Sequence, residues 1–468
     1  MTLAALNSPV DLDQSQLFIV GQQRLEGELH VNGAKNSALA LMAASALSHE
    51  PVRLRNMPDL TDIGAMAKIL VSLGMGFHLE GSSAVLRGGG LTSNDPSYDL
   101  TRKLRASFFL IGPLLARHGV AKVPLPGGCR IGSRPVREHN KGLQAMGARI
   151  SMKDGVVSAE AQGNHGRLQG CSIHLDYPSV GATETLMMAA TLAEGETVLN
   201  NAAQEPEVMD LAGLLKTMGA RIQGAGSSTI RIAGVKQLHG ADYAVIPDRI
   251  EAGTFLIAAA AARSRLHVTP VETSHLSAVL AKLEEMGCSI SPQGQGLTIT
   301  TPGQLRGCEL RTQPFPGFPT DLQAPFMALL STAEGDSFVT ETVFENRLQH
   351  VAELQRMGAQ IHTNGVNAAH VKGVPMLSGV PVTGTDLRAA AALVIAGLAA
   401  DGVTQVGGLE NLDRGYARLE ERLQSVGARI NRIDATQTAQ TAQTALTGSL
   451  DLSYSSIPDP SQGACRNW

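Results

Sequence analysis

The chain repeats itself, and the repeat limits what it can fold into. An amphipathic helical stretch ending in an apolar residue, a glycine and a short strand recurs as SLGMGF, AMGARI, TMGARI, EMGCSI, RMGAQI and SVGARI. The glycines are Gly74, Gly147, Gly219, Gly287, Gly358 and Gly427, spaced 73, 72, 68, 71 and 69 residues apart. Each fits a helix C-cap, where a left-handed residue turns the chain out of a helix and into a strand. Six units of about 70 residues then account for nearly the whole chain up to Asp434. At 468 residues there is too much chain for one core, so two or three domains are expected.

The other half of every unit holds a second helix: AKNSALALMAASAL, RASFFLIGPLLARHG, ATETLMMAATLAEG, EAGTFLIAAAAARS, TDLQAPFMALLSTAEG and TDLRAAAALVIAGLAADG. These are apolar nearly all round, as buried helices are. Aromatic residues make up only 3% of the chain, so Ala, Leu, Val, Ile and Met must fill the core. Most of these helices lead into β-branched segments such as GETVLNNA, SRLHVTPV and GDSFVTET, which read as strands. The unit is a mixed α/β module with one buried and one half-exposed helix.

Charge gathers where these helices open. The buried helices are expected to begin with Lys35, Arg105, Thr183, Glu251, Asp321 and Arg388, and the second helices near Asp62, Arg134, Glu207, His275, Arg347 and Arg414. A first turn presents free N–H groups and a positive dipole end, so cations there oppose helix stability unless something negative lies close. For one arginine a neighbouring carboxylate suffices; for a recurring set, a shared anionic ligand is the stronger reading.

Several functions are excluded by the same composition. A net charge of −4 and a pI near 6.4 do not suit a general nucleic-acid binder. The longest apolar run, LRAAAALVIAGLAA at 387–400, is short of the roughly 20 residues that span a bilayer and contains Arg388. The segment MTLAALNSPVDLDQSQ lacks a basic stretch followed by an apolar one, so a cytoplasmic location is expected. Five cysteines, at 129, 171, 288, 308 and 465, are scattered, with neither a CxxC pair nor metal-ligand spacing. Residues 435–468 are polar and low in complexity and read as a disordered tail. One cysteine stands apart: in VPLPGGCRIGSRPVREH, Cys129 follows Pro126, Gly127 and Gly128, an exposed loop, with Arg130, Arg134, Arg137 and His139 behind it. Such electropositive surroundings favour a reactive thiolate.

GAKNSALALMAASAL, LRASFFLIGPLLARHG, LPGGCRIGSRPVREH, SVGAT, EPEVMD, PDRIEAGTF, FPTDLQA, ETVFENR, TDLRA and LDRGYARLE together resemble the UDP-N-acetylglucosamine 1-carboxyvinyltransferase family, over residues 16–434. The resemblance implies two inverse α/β barrel domains of three units each, with ligands in the cleft between them. One domain would span 35–245 and the other 16–34 plus 246–434, with crossovers near Gly33 and Pro247. It implies transfer of the enolpyruvyl group of phosphoenolpyruvate to the 3′-hydroxyl of UDP-N-acetylglucosamine, an early step of peptidoglycan synthesis, with no cofactor and no metal.

The family's residues carry over position by position. Cys129 matches the thiol that protonates C3 of phosphoenolpyruvate and is open to the epoxide fosfomycin, and Asp321 matches the base for the sugar hydroxyl. Lys35, Asn36, Arg134 and Arg414 match the phosphoenolpyruvate contacts. Arg105, the run Arg134, Pro135, Val136, Arg137, Glu138 and His139, the run Tyr177, Pro178, Ser179, Val180 and Gly181, together with Asp321 and Val343, match the sugar-nucleotide contacts. Arg347 and Arg388 match further cleft arginines, with Asp62, Glu345 and Asp386 orienting them and Asn346 alongside. Three positions depart from the family pattern: it often has Asp at Arg137 and Lys at Tyr177, and Arg at Gln204. A 3-phosphoshikimate 1-carboxyvinyltransferase shares the six units but has no LPGGC cysteine. A non-catalytic repeat scaffold is the remaining alternative.

Overall fold

All six repeat glycines adopt the left-handed backbone that their place demands, with φ of +97° at Gly74, +85° at Gly147, +99° at Gly219, +107° at Gly287, +94° at Gly358 and +102° at Gly427. In this computed structural model, which describes residues 15–125, 136–163 and 166–433, they follow the helices Thr61–Ser72, Arg137–Ala145, Pro206–Thr217, Ser277–Glu285, Val351–Arg356 and Leu419–Gln424. Each glycine N–H bonds back to a carbonyl of the last helical turn, from Gly74 to Val71 at 2.9 Å through Gly427 to Gln424 at 3.0 Å. Those bonds satisfy carbonyls that a helix end leaves free. A side chain at such a φ would be strained, which is why glycine recurs.

The strands form six small sheets among the described residues, five of four strands and one of three. The third unit shows the pattern: Glu196–Asn200 pairs antiparallel with Thr229–Ala233, which pairs antiparallel with Arg221–Gln223, while Ser172–His174 lies parallel to Glu196–Asn200. The start of the chain completes the sixth unit. Gln16–Val20 lies between Val403–Gly407 and Arg429–Ile433, antiparallel to both, with Leu17 opposite Val406 and Ile19 opposite Ile430. Leu17 and Ile19 are fully buried and alternate with more exposed neighbours, so a one-residue slip would turn the apolar face outward. Glu26–His30 likewise joins Arg265–Thr269, and Ala241–Ala244 returns to Pro51–Arg55, both in parallel.

The buried apolar residues separate into two clusters. One runs from Ala34 to Val245 and the other combines Leu17 to Val31 with Ile250 to Ile430. The chain passes between them at the bridge of Gly33 with Pro247, flanked by bonds from Ala34 N to Ile246 O at 2.7 Å and Asp248 N to Asn32 O at 2.8 Å. There a single carboxylate caps two helices. Asp248 Oδ1 accepts Ile250 N and Glu251 N of the helix Arg249–Ala261, while Oδ2 accepts Lys35 N of the helix Lys35–Ala44.

Several expected helix starts need correction. Arg105 opens a 3₁₀ turn, Arg105–Leu110, before the helix Ile111–His118. The helix expected to open at Thr183 begins at Val180 behind a Ser179 cap, and His275 ends a 3₁₀ turn ahead of Ser277–Glu285. Asp321 lies inside the 3₁₀ turn Thr320–Leu322 rather than capping the helix Gln323–Leu330. Arg347 lies in a loop and Arg414 in a turn, four and five residues ahead of the helices Val351–Arg356 and Leu419–Gln424. Both helices are so short that the polar turn before them blends into the same periodicity. The apolar run at 387–400 is the buried helix Leu387–Ala399, and no helix among the described residues is long and apolar enough to cross a membrane. The tail at 435–468 lies outside the described residues.

Candidate active site

Two carboxylates, each holding two cations, organise the site. Asp62, in the first turn of Thr61–Ser72, pairs through Oδ2 with Lys35 Nζ at 3.4 Å and through Oδ1 with Arg414 Nε at 2.9 Å. Asp321 pairs through Oδ1 with Arg347 Nη2 at 2.6 Å and through Oδ2 with Arg388 Nη2 at 2.9 Å. Each of these four cations therefore has a carboxylate partner, but each carboxylate is shared. Four cations on two carboxylates leave two formal positive charges over. That surplus suits a polyanionic ligand.

Burial makes these charges consequential. Lys35, Asp62, Arg347 and Arg388 are buried. Burial lowers the Lys35 ammonium, and Asp62 opposes the shift; Arg388, Asp321 and Arg414 also act on it, so the two carboxylate centres are electrostatic neighbours. Burial would raise the Asp321 carboxyl, but Arg388 and then Arg347 outweigh it and hold it well below the usual carboxylate range. Arg347 still has donors to spare: its Nε and Nη1 are buried with no hydrogen-bond partner among the described residues. Arg388 is fixed from behind, where Nη1 donates to the Tyr416 hydroxyl at 3.0 Å and that hydroxyl meets Thr254 Oγ1 at 2.8 Å. The supporting acids differ from expectation. Asp386 Oδ1 accepts the backbone N–H of Arg388 and Ala389, capping the helix instead of reaching a guanidinium, and Glu345 is exposed.

The residues matched to the sugar nucleotide form a second group. His139 is buried edge-on against Phe108, with ring centroids 5.3 Å apart, and burial followed by Arg105 lowers its imidazole to about 3, so it is neutral. Its ring lies beside Gly181, where an added Cβ would come 3.1 Å from Nε2, so a side chain there would push the ring away. Glu138 accepts Asp176 N at 2.9 Å, and Asp176 in turn pairs with Lys141 at 2.5 Å and with the exposed Arg137 at 3.5 Å. Val136 is half-buried at the start of this stretch, and Pro178 and Val180 are half-buried beside Ser179. Burial, then Glu205 and Glu341, raises the Tyr177 hydroxyl, which places this turn near the loop that carries the half-buried Val343 and the exposed Asn346. Asn36 is exposed next to Lys35. Cys129, Arg134 and Pro135 lie outside the described residues.

Comparison with known proteins decides the family. The sequence matches the family model described as EPSP synthase (3-phosphoshikimate 1-carboxyvinyltransferase) over residues 19–423. A UDP-N-acetylglucosamine 1-carboxyvinyltransferase of Prochlorococcus marinus (strain MIT 9313) is 58% identical over 429 residues, covering 92% of this chain and 98% of that protein. One from Synechocystis sp. (strain ATCC 27184 / PCC 6803 / Kazusa) is 53% identical over 438 residues, covering 94% and 100%. The chain belongs to the UDP-N-acetylglucosamine 1-carboxyvinyltransferase family. Among solved structures, the enolpyruvyl transferase NikO from Streptomyces tendae superposes with a TM-score of 0.81 at 28% identity, over 90% of this chain and all of that one. An EPSP synthase from Acinetobacter baumannii, with a TM-score of 0.68 and 19% identity over 90% of this chain and 100% of that one, shares the fold.

Sequence reasoning missed three members of the site. Tyr416 and Thr254 gave no signal beyond a polar group in an apolar setting. Glu341 gave one, taken up below.

Proposed function

We propose that this chain transfers the enolpyruvyl group of phosphoenolpyruvate to the 3′-hydroxyl of UDP-N-acetylglucosamine and releases phosphate, supplying a peptidoglycan precursor in the cytoplasm, where phosphoenolpyruvate is made. The observation that carries the reading is the gathering of Lys35, Arg414, Arg347 and Arg388 on two shared carboxylates, with positive charge left over. Phosphoenolpyruvate brings a phosphate and a carboxylate, and two such anions need that many cations. The acceptor follows from relatives 53–58% identical over about nine-tenths of the chain, against 19% for the shikimate enzyme's structure.

In this reading the hydroxyl oxygen adds to C2 of phosphoenolpyruvate while C3 gains a proton from the Cys129 thiol. Asp321 takes the hydroxyl proton. Asp321 hands the hydroxyl proton to the departing phosphate as the C2–O bond breaks and takes a proton from C3, which restores the double bond; that proton returns to the Cys129 thiolate through solvent. Lys35, Asn36, Arg134 and Arg414 hold the phosphate side, and Arg347 and Arg388 the carboxylate side, with Asp62 steadying the first set. Arg105, the residues 134–139 and 177–181, and Val343 hold the sugar nucleotide. Each trio of units forms one inverse α/β barrel domain, 35–245 and 16–34 with 246–434; the two apolar clusters support that division.

Purified protein is to be incubated with phosphoenolpyruvate and, separately, UDP-N-acetylglucosamine or shikimate 3-phosphate. Phosphate release with the sugar nucleotide alone is expected; release with the shikimate ester alone would overturn the reading. Fosfomycin should leave one adduct, mapped to Cys129, and more readily with the sugar nucleotide bound.

A further inference from the structure

We infer that Glu341 is the positioning residue that sets the base and the sugar-contacting loop in register, a role that rests on the reading of Asp321 and Val343 above. Its carboxylate is 1% exposed and accepts four hydrogen bonds from neutral donors. Oε1 accepts Thr312 Oγ1 at 2.9 Å, Val343 N at 2.8 Å and Phe344 N at 3.1 Å, and Oε2 accepts Thr320 Oγ1 at 2.9 Å. Three chain segments meet on it. One is the turn of Asp321, one is the loop that carries Val343 and leads to Arg347, and one is the end of the edge strand Glu309–Arg311.

The repeat supplies the comparison that separates scaffold from site. Glu341 is the residue directly after the strand Asp336–Thr340. In the first, third and sixth units the same place, after Pro51–Arg55, Glu196–Asn200 and Val403–Gly407, is held by Asn56, Asn201 and Gly408, all with positive φ. The two asparagines do one job. Asn56 Nδ2 donates to Val245 O and Asn201 Nδ2 to Leu175 O, each at 2.9 Å, stapling the strand end to the neighbouring edge strand.

Glu341 meets the corresponding strand end with the bond reversed, accepting from the Thr312 hydroxyl, while Thr312 O takes the Thr342 hydroxyl. It then does more, reaching the backbone of Val343 and Phe344 and the hydroxyl next to Asp321. No such bonds are made by Asn56 or Asn201. The added bonds fix the distance between the group that takes the sugar's proton and the residue that touches the sugar. A displacement of about 1 Å between reacting groups costs on the order of 100-fold in rate. Arg347 bonds Asp321 directly, so the loop and the turn are tied at two points, and Glu341 is the tie that carries no positive charge.

The test uses Glu341→Asn, which puts the residue of the first and third units at this position, and Glu341→Gln, whose carbonyl oxygen can still accept from Val343, Phe344 and Thr312. Steady-state kinetics are measured for both substrates with thermal unfolding in parallel. For Glu341→Asn, kcat is expected to fall by about 10-fold or more. The KM for UDP-N-acetylglucosamine should rise several-fold, with the KM for phosphoenolpyruvate and the unfolding midpoint unmoved. Glu341→Gln should recover most of the loss. Wild-type kinetics in Glu341→Asn, or a loss of activity that tracks a lowered midpoint with both KM values unchanged, would overturn the role. A wild-type protein that fails to turn over UDP-N-acetylglucosamine would instead overturn the reaction itself.

Discussion

The two carboxylate centres share a plan and differ in where their members come from. Asp321, Arg347 and Arg388 all belong to the part of the chain packed in the second apolar cluster, and Arg388 is braced there by Tyr416. Asp62 and Lys35 belong to the first part, while Arg414 reaches over from the second, beside bonds from Thr61 N and Oγ1 to Asp413 O at 3.4 and 3.3 Å. One centre is complete within its own core; the other exists only when the two parts meet. The difference teaches that the same local motif can serve as a fixed anion seat or as a contact that depends on closure.

The largest effect that could break the comparison comes from Asp321, proposed above as the base. Asp321→Asn should lower kcat by roughly 10²- to 10⁴-fold, the usual worth of a positioned acid or base, in a phosphate-release assay. Next, the within-core centre should matter to folding in a way that the other does not. Arg388→Ala is expected to destabilise by about 3–5 kcal/mol in denaturant unfolding, because a buried ion pair loses one partner. Arg414→Ala, whose side chain is 39% exposed, should leave unfolding nearly unchanged and raise the KM for phosphoenolpyruvate about 10- to 100-fold, as losing a charge-assisted bond would. Equal stability losses for the two would erase the distinction.

A pH effect follows from the arginines on Asp321. Its carboxyl lies well below the usual range, so the stability that it contributes is fully present above about pH 4, the ordinary aspartate value, and is lost as pH falls through its lower folded value. Arg347→Met removes one of the two guanidiniums, so the acid limb of kcat/KM should move to higher pH. An unmoved limb would show that Arg347 does not tune this group. The smallest effect belongs to Arg137, 77% exposed and facing Asp176 at 3.5 Å. Arg137→Asp, which puts in place the residue that the family resemblance leads one to expect, should change the KM for UDP-N-acetylglucosamine by less than about 3-fold, within the worth of an exposed ion pair.

Much of the fold was legible because the repeat glycines answer a backbone requirement that sequence states openly. Helix starts were less so: Arg347 and Arg414 sit in polar connecting segments that read as first turns, and nothing local marks where helices as short as Val351–Arg356 begin. For the site, sequence could gather the cations and name Asp321 and Asp62, but sharing of a carboxylate is a property of distance. Asp386 looked like an arginine partner and is a helix cap, its extended backbone setting Oδ1 against the N–H groups of Arg388 and Ala389. Glu341 was visible only against its own repeats, where Asn56 and Asn201 show what the scaffold alone requires.

The central claim is that these cations receive phosphoenolpyruvate while Asp321 meets the sugar. A crystal structure with both substrates bound, or with an inert variant such as Asp321→Asn to hold them, tests it most directly. The account predicts Lys35 and Arg414 on the phosphate, the spare donors of Arg347 on the carboxylate, and residue 321 within about 3.2 Å of the 3′-hydroxyl. A sugar hydroxyl directed elsewhere, with the anion bound away from these four cations, would contradict it.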